Sequence, residues 1–336
     1  MTETGSKLVR APRAPEVVEV EIPGTGVMFP GFKVRHPLAP KPTPGYVFDT
    51  KIVEEVRLAW GEKWPILAVG DAGFGKSSLF RELYAVMGRP FRRLNLNGEA
   101  GVSQILGKED LRRAADGSAE IRWVDGVVPQ CVRGGYGLCV DEWSAALQPV
   151  LFAFQWLLED AGRLVILETG EEIIPHPDFR LFATDNVMGI AERNRHLYPG
   201  TNRISAAAID RFGWVLDIRA PEKEVEFQIV RAHIKNAGLD VSDRIIEGIV
   251  RVAAMIRDEA DKERVSFRLS TRRCIQWAKA CSRFHPSRAA RGTILNKLRP
   301  ADFLEVEKIL QRTFGSTQGQ ATTTPAGVPV SGPVVP

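Results

Sequence analysis

The sequence predicts an α/β fold in which a parallel β-sheet is followed by a smaller, all-helical domain. Short apolar runs alternate with helical patterns from residue 65 to residue 218, which is typical of a parallel sheet covered by helices. Residues 221–314 have helical patterns almost throughout. A glycine-rich loop also joins the first apolar run of the alternating region to the helix after it. Together these observations predict a nucleotide-binding α/β domain with a helical lid.

The composition is that of an ordinary globular protein, with 336 residues, of which 44% are hydrophobic and 26% charged. The net charge of +4 is too small to indicate nucleic-acid binding by itself. Residues 1–10 lack the apolar core of a signal peptide, and no uncharged apolar run approaches the ~18 residues of a membrane helix. The four cysteines lack zinc-type spacing and are interpreted as reduced thiols. We therefore expect a cytoplasmic protein without a membrane segment.

Residues 1–45 form a proline-rich N-terminal extension with eight prolines. Its one strand-like run is at residues 17–22, and we expect it to pack along the outside of the core or on a neighbouring subunit. Asp49 then has the position of a helix N-cap. Residues 50–60 have the apolar spacing of a helix.

A phosphate-binding loop follows the strand predicted at residues 65–69. Residues 70–77 fit the pattern G-x-x-x-x-G-K-[ST] at every fixed position, and a helix is predicted from residue 77 to about residue 87. Glycines let backbone N–H groups approach phosphate oxygens, and the helix N-terminus adds its positive dipole end. Lys76 can reach the β- and γ-phosphates of ATP, and the Ser77 hydroxyl can ligate Mg²⁺. The predicted nucleotide-binding residues are Gly70, Asp71, Ala72, Gly73, Phe74, Gly75, Lys76, Ser77 and Ser78.

A second motif ends the strand predicted at residues 136–140 in two adjacent acids, Asp141 and Glu142. Asp141 can hold Mg²⁺, and Glu142 can orient and polarise an attacking water molecule. An ordinary turn at a strand end produces the same pair about as often, so the motif alone is weak. It lies 65 residues after Lys76 (141 minus 76), and downstream of a matching phosphate loop it predicts Mg²⁺-dependent ATP hydrolysis.

The remaining strands complete a five-stranded sheet with inserted hairpins. Strands are predicted at residues 91–96, 179–184 and 214–218, helices at residues 101–106, 149–158 and 206–211, and hairpins at residues 119–124, beside a turn at 115–118, and at 163–175. Asn186 follows one of these strands and can position the lytic water, although a turn asparagine satisfied locally is an equal alternative.

The C-terminal third is predicted to be helical, and the last residues are not. Helices are predicted at residues 222–236, 241–260, 270–284 and 301–314. Residues 315–336 carry no charge and are rich in Thr, Gly and Pro, a composition typical of disorder. The predicted domains are therefore residues 1–45, 46–220, 221–314 and 315–336.

The order of these motifs resembles that of the AAA+ ATPases. More closely, residues 46–284 resemble the ATPase subunits of aerobic cobaltochelatases, the CobS-type branch near the MoxR and magnesium-chelatase ATPases. The stretches that carry the resemblance best are residues 175–186, 197–201 and 210–212. Trp143 and Asp185 depart from the usual pattern of that branch.

The resemblance implies roles that spacing alone does not show. Asn186 has the place of the sensor asparagine, and Arg211 that of an arginine finger inserted into the neighbouring subunit's site. Arg272 resembles the lid arginine that contacts the γ-phosphate, with Arg273 as the competing position. An arginine suits this work because its forked guanidinium stabilises the charge that develops on phosphate. The alternative for each arginine is a surface ion pair, which contributes little to stability.

Three functions remain open. The first is a ring-forming Mg·ATP hydrolase, expected to be hexameric, with Lys76, Glu142, Asn186 and Arg211 as catalytic residues and Ser77 and Asp141 as Mg²⁺ ligands. By resemblance it would remodel a cobaltochelatase, acting on a chelatase subunit or an adaptor with a metal-binding domain. The second is a MoxR-like chaperone that matures another complex.

The third function is a ring motor that binds nucleic acid through residues 266–300, which hold nine basic and no acidic residues. This stretch has few aromatic side chains for base stacking. A lid that faces phosphates explains much of the charge, so nucleic acid is not expected as a partner.

Overall fold

The computed structural model describes residues 15–96, 101–113, 118–159, 162–186 and 209–315. The strands are β1 (Val17–Glu21), β2 (Met28–Phe32), β3 (Ile66–Val69), β4 (Phe91–Asn95), β5 (Gly107–Arg113), β6 (Ala119–Asp125), β7 (Gly137–Asp141), β8 (Leu164–Ile166), β9 (Glu171–Ile173), β10 (Arg180–Asp185) and β11 (Trp214–Asp217). The α-helices are α1 (Thr50–Gly61), α2 (Lys76–Met87), α3 (Val102–Ile105), α4 (Val127–Gly134), α5 (Gln148–Gln155), α6 (Lys223–Asn236), α7 (Asp243–Asp261), α8 (Thr271–Cys281), α9 (Pro286–Thr293) and α10 (Pro300–Phe314).

The centre of the fold is a parallel sheet of five strands in the order β11, β3, β10, β7, β4. Strands β3, β7 and β10 are buried along their whole length, as expected for strands covered by helices on both faces. The register pairs Asp185 with Val69 and Thr184 with Asp141. The carboxyl ends of the three central strands therefore meet at one edge, where the phosphate loop begins.

Helices cover both faces of the sheet and give the core two parts. One apolar cluster includes the fully buried Trp143 and Phe154, and the other includes Phe80 and Phe182, whose rings stack with centroids 4.3 Å apart. Helices α6–α10 form a third cluster around Trp277, which is also fully buried. The predicted five-stranded parallel sheet and C-terminal helical region are confirmed.

The N-terminal extension, described from residue 15 onward, packs on the core. Strands β1 and β2 pair antiparallel, and Ile22 and Phe29 are fully buried beside α1 and α2. Further along, Thr43 donates from its backbone N to Glu82 Oε2 (2.8 Å) and from its hydroxyl to Glu82 Oε1 (2.7 Å). The predicted N-cap is confirmed, because the Asp49 carboxylate accepts from the first turn of α1.

Several elements differ from the prediction. The hairpin predicted at residues 119–124 is confirmed, and so is the short helix before it, α3; only the hairpin's first strand, β5, had not been given bounds. Strand β2 was not predicted, because Pro30 and Gly31 disfavour a strand and only pairing with β1 overrides them. Helices α4 and α9 were also not predicted, and the helix predicted to residue 284 ends at Cys281.

Some predictions lie outside the described residues. These are the tail beyond residue 315, residues 197–201, most of the predicted turn at 115–118 and the start of the helix predicted at 206–211. Within the described ranges, no helix combines the length and apolarity needed to cross a membrane.

Candidate active site

The phosphate loop runs from the end of β3 to the start of α2. Gly70 has φ +141°, and a Cβ there would collide with the backbone carbonyl of Ile218. Gly75, the N-cap of α2, has φ +94° and no atom within 4 Å of the position a Cβ would take. The loop is therefore fixed to the sheet at its first glycine, while its last glycine leaves open space in front of the helix N-terminus.

The Lys76 ammonium lies inside this loop. Only 7% of the residue is exposed, and Nζ donates to Gly70 O (2.6 Å), Asp71 O (2.9 Å) and Asn186 Oδ1 (2.9 Å). The predicted loop lysine and the predicted sensor asparagine are therefore in direct contact. Burial lowers the pKa of Lys76 to about 8, although the nearby carboxylates of Asp185 and Asp71 act in the opposite direction.

This pKa gives ATP binding an expected pH dependence. Bound phosphates favour the charged ammonium, so binding above pH ~8 requires Lys76 to take up a proton. We expect the Kd for ATP to change little between pH ~7 and ~7.5 and to rise by up to about tenfold per pH unit above pH ~8. Titration calorimetry checks this, with Lys76→Arg as the control, because its guanidinium stays charged and should abolish the slope. A Kd for the native chain that stays constant to pH ~9.5 would contradict it.

Asp141 lies at the end of β7, where two hydroxyls and a guanidinium meet. Its Oδ1 accepts from the Ser77 hydroxyl and from Thr184 Oγ1 (2.8 Å), and its Oδ2 accepts from Arg93 Nε and Nη2 (both 2.6 Å). Asp141 is 5% exposed. A hydroxyl and a carboxylate oxygen in contact are the donor types that Mg²⁺ prefers. The predicted metal ligands, Ser77 and Asp141, therefore fit such an ion.

Glu142 lies on a tightly held turn beyond β7. Its φ of +59° is uncommon for a residue with a side chain, and the residue is exposed. The Asp185 carboxylate fixes this turn, because Oδ2 accepts from Ser144 N (2.8 Å) and Oδ1 from Ser144 Oγ (2.9 Å). Trp143 is buried against Phe154. Trp143 and Asp185, the two residues that depart from the family pattern, therefore hold the turn in which Glu142 has its uncommon backbone conformation.

The lid approaches the loop through the start of α8. Arg272 N donates to Gly73 O (3.2 Å), and the exposed Arg272 side chain lines a cavity of about 350 Å³ together with Gly73, Phe74, Gly75 and Ser78. Arg273 instead lies over the Phe267 ring, 5.0 Å from its centroid. Of the two competing arginines, Arg272 is the one beside the loop.

The same cavity extends away from the loop between the segment before α1 and the lid. Its further walls are formed by Gly45, Tyr46, Val47, Pro221, Ile229, His233, Thr271, Ile275, Gln276 and Lys279. A second cavity of about 330 Å³ shares Tyr46, Val47, Phe74 and Ile229 with it. The cleft next to the phosphate loop is thus large and partly apolar, as sites for small molecules usually are.

Arg211 is not brought to this site. It lies three residues before β11, whose first residue, Trp214, pairs with Ile66 at the start of β3. The phosphate loop follows the other end of β3, a strand length of ~10 Å away. The half-buried Arg211 guanidinium faces the Gln155 side-chain amide at the end of α5.

Three site residues were missed by the sequence analysis. Arg93 and Thr184 contact Asp141, and Arg268 Nε lies 3.3 Å from Asp71 Oδ2 in the loop. Thr184 could have been found from the sequence, because it directly precedes Asp185 and Asn186 at the end of a predicted strand. Arg93 and Arg268 carry no signal that separates them from other arginines in the chain.

The sheet order, the phosphate loop and the acidic strand end define a P-loop ATPase of the AAA+ class. Residues 65–212 match the family described as AAA domain (dynein-related subfamily). The aerobic cobaltochelatase subunit CobS of a Sinorhizobium species is 30% identical over 292 residues, 87% of each chain. The chain therefore belongs to the AAA+ ATPase family that includes CobS, as the sequence resemblance predicted.

Other relatives match over shorter lengths or at lower identity. Midasin of Dictyostelium discoideum is 34% identical over 170 residues, which is 51% of this chain and 3% of midasin. A putative ATPase from Cytophaga hutchinsonii has a solved structure with a TM-score of 0.41 and 19% identity, covering 79% of this chain and 82% of that one. A RuvB mutant of Thermotoga maritima has a TM-score of 0.48 and 15% identity, covering 83% of this chain and 75% of that one.

Proposed function

We propose that this chain hydrolyses Mg·ATP in a homo-oligomeric ring and uses the hydrolysis cycle to remodel a cobaltochelatase-type complex. The observation that carries the ATPase site is the convergence of Lys76, Ser77, Asp141 and Asn186 at one edge of the sheet. The observation that supports the chelatase role is the similarity to CobS over 87% of both chains.

In the proposed mechanism, the triphosphate replaces the internal partners of Lys76. The ammonium exchanges Gly70 O and Asp71 O for the β- and γ-phosphates, while the amides at the start of α2 donate to phosphate oxygens. Bound at Ser77 and Asp141, Mg²⁺ would supply charge neutralisation at the β- and γ-phosphates. Asn186 would hold the attacking water in line with the γ-phosphorus. Glu142 would accept the proton of that water as the bond to ADP breaks.

The last catalytic group in this proposal comes from another copy of the chain. Arg211 lies at the opposite end of the sheet from its own loop, which supports a role at the γ-phosphate of a neighbouring copy. We propose a boundary between the sheet domain and the lid near residue 220, supported by the separate apolar cluster of the lid. A neighbouring copy that supplies Arg211 and a lid that moves relative to the sheet domain would then both act on the cleft beside the phosphate loop.

The two candidate lid arginines are expected to behave differently when replaced. Arg272→Ala should weaken ATP binding about fivefold to tenfold, because it removes a cation beside the loop, and should leave the Tm nearly unchanged. Arg273→Ala should leave ATP affinity within about twofold and lower the Tm, because it removes a contact with Phe267. Calorimetry and thermal unfolding check both variants. The opposite pattern would transfer the lid role to Arg273.

Two inserted hairpins are proposed to face the partner. In the β5–β6 hairpin the cross-strand pair Leu111 and Ile121 is 69% and 65% exposed, and Leu167 at the turn of the β8–β9 hairpin is 85% exposed. Exposed apolar side chains on both hairpins suit contact with another protein. The expected partner is a chelatase subunit or an adaptor with a metal-binding domain.

The basic stretch at residues 266–300 is explained better by the lid than by nucleic acid. Arg268 pairs with Asp71 and Asp261, Arg272 lines the cleft, and Arg288 lies over Phe284. The free thiols of all four cysteines, three of them buried, agree with the proposed cytoplasmic location.

Capture of the partner tests the proposed role. The ATP-trapped Glu142→Gln protein should retain its partner in a pull-down with ATP, whereas Lys76→Ala, which should not bind ATP, should lose it. Identification by mass spectrometry of a chelatase subunit enriched by the first variant only would support the chelatase role. Enrichment of an unrelated complex in the same comparison would favour a MoxR-like maturation role instead.

A further inference from the structure

We propose that Arg93 is a resident cation of the metal site, which holds Asp141 in the metal-free protein and competes with Mg²⁺ for its carboxylate. This inference rests on the proposed Mg·ATP site. Arg93 lies outside the phosphate loop and the acidic strand end, so its proposed role can be wrong while the proposed Mg·ATP site is right.

The geometry places the guanidinium on one oxygen of the carboxylate. Arg93 is the third residue of the edge strand β4, and its Nε and Nη2 both lie 2.6 Å from Asp141 Oδ2. The two hydroxyl donors, Ser77 and Thr184, lie on Oδ1 instead. The Ser77 side of the carboxylate is thus held by neutral donors, and the other side by a full positive charge.

The burial of Asp141 explains why such a cation is needed. Asp141 is 5% exposed, and a buried carboxylate without a cation is strongly unfavourable. The nearby Lys76 ammonium donates to Gly70 O, Asp71 O and Asn186. Arg93 therefore supplies the direct ion pair to Asp141.

Arg93 is also able to leave. Its side chain is 53% exposed, whereas that of Asp141 is 7% exposed. Because Arg93 is half-exposed and Mg²⁺ would replace its charge beside Asp141, the guanidinium can return to water without leaving the buried carboxylate unpaired. Lys76, at 7% exposure, has no comparable route.

Competition follows from charge and from ligand geometry. Mg²⁺ keeps near-ideal octahedral oxygen coordination with several waters, and a guanidinium on the same carboxylate crowds and repels it. Arrival of the ion at Asp141 should therefore displace Arg93. The exchange keeps the buried carboxylate neutralised in both states and makes metal affinity lower than the ligands alone would give.

A metal titration tests this. The Kd of Mn²⁺ is measured by electron paramagnetic resonance at saturating ADP for the native chain, Arg93→Gln and Arg92→Gln. Arg92 is the matched control, because it is the adjacent exposed arginine on the same strand and its side chain points to the other face of the sheet. We expect Arg93→Gln to bind Mn²⁺ about tenfold more tightly than the native chain, with Arg92→Gln unchanged.

A Kd for Arg93→Gln that equals or exceeds the native value overturns the inference. Failure of the native chain to bind Mn²⁺ and ADP overturns the proposed function itself. If Arg93→Gln does not fold, the Kd of Mn²⁺ for Arg93→Lys tests the inference in its place. Lysine keeps the charge but cannot form the fork, so it should tighten Mn²⁺ binding about threefold, and an unchanged or weaker affinity overturns the inference.

Discussion

Replacement of Glu142 by glutamine is expected to slow ATP hydrolysis by about 10²- to 10⁴-fold while ATP remains bound. Glutamine keeps the size and hydrogen-bonding reach of the side chain but cannot accept the proton of the attacking water. The exposed turn that carries Glu142 is fixed by Asp185 and Ser144, whose contacts the substitution does not touch. Single-turnover hydrolysis and equilibrium ATP binding, measured on the same preparation, check both parts.

Glu62→Gln is the matched control, because Glu62 is an exposed acid at the end of α1. The Glu62→Gln variant should hydrolyse ATP at the native rate. Near-native turnover of Glu142→Gln would remove Glu142 from the role of base, and loss of ATP binding would assign it to the binding site instead.

Replacement of Arg211 by alanine is expected to lower ATP hydrolysis by about 10³-fold. The reason is the loss of the guanidinium that we propose stabilises the charge developing on the γ-phosphate of a neighbouring copy. ATP affinity of the isolated chain should change by less than about threefold, because Arg211 lies at the far end of the sheet from its own loop. Steady-state kinetics and ATP binding measure the two effects.

The control for Arg211→Ala is Arg312→Ala, an exposed arginine on α10 that should leave the rate unchanged. A monomer that hydrolyses ATP at full rate without Arg211 would show that the site is complete within one chain.

The sheet could be predicted because buried parallel strands appear in sequence as continuous apolar runs. Residues 66–69 and 137–140 are such runs, and both are strands in the structure. Strand β5 could not be predicted in the same way. It carries Lys108, Glu109 and Asp110 and forms through pairing with β6.

The missed helices have a different physical reason. Pro286 begins α9, because proline suits the first turn of a helix, and His285 caps α9 by accepting from Ser287 N. Helix α4 has eight residues between Gly126 and Gly135, too few for a clear helical period. Short helices of this kind are decided by tertiary contacts.

Within the site, residues adjacent in sequence were predictable and residues adjacent only in space were not. The phosphate loop is set by its own spacing, and all of its members follow from nine consecutive positions. Arg93 reaches Asp141 because β4 lies beside β7, and Thr184 reaches it because β10 lies on the other side. That strand order cannot be derived from either segment alone.

A mixing experiment tests the proposed shared active site most directly. Glu142→Gln and Arg211→Ala are each expected to be nearly inactive. In a mixed ring, however, an Arg211→Ala subunit would keep the proposed base and an adjoining Glu142→Gln subunit would keep the proposed arginine. Equal mixing should restore about a quarter of native activity, because about one interface in four then combines both groups. Assembled mixed rings with no activity above the two parents would contradict the account.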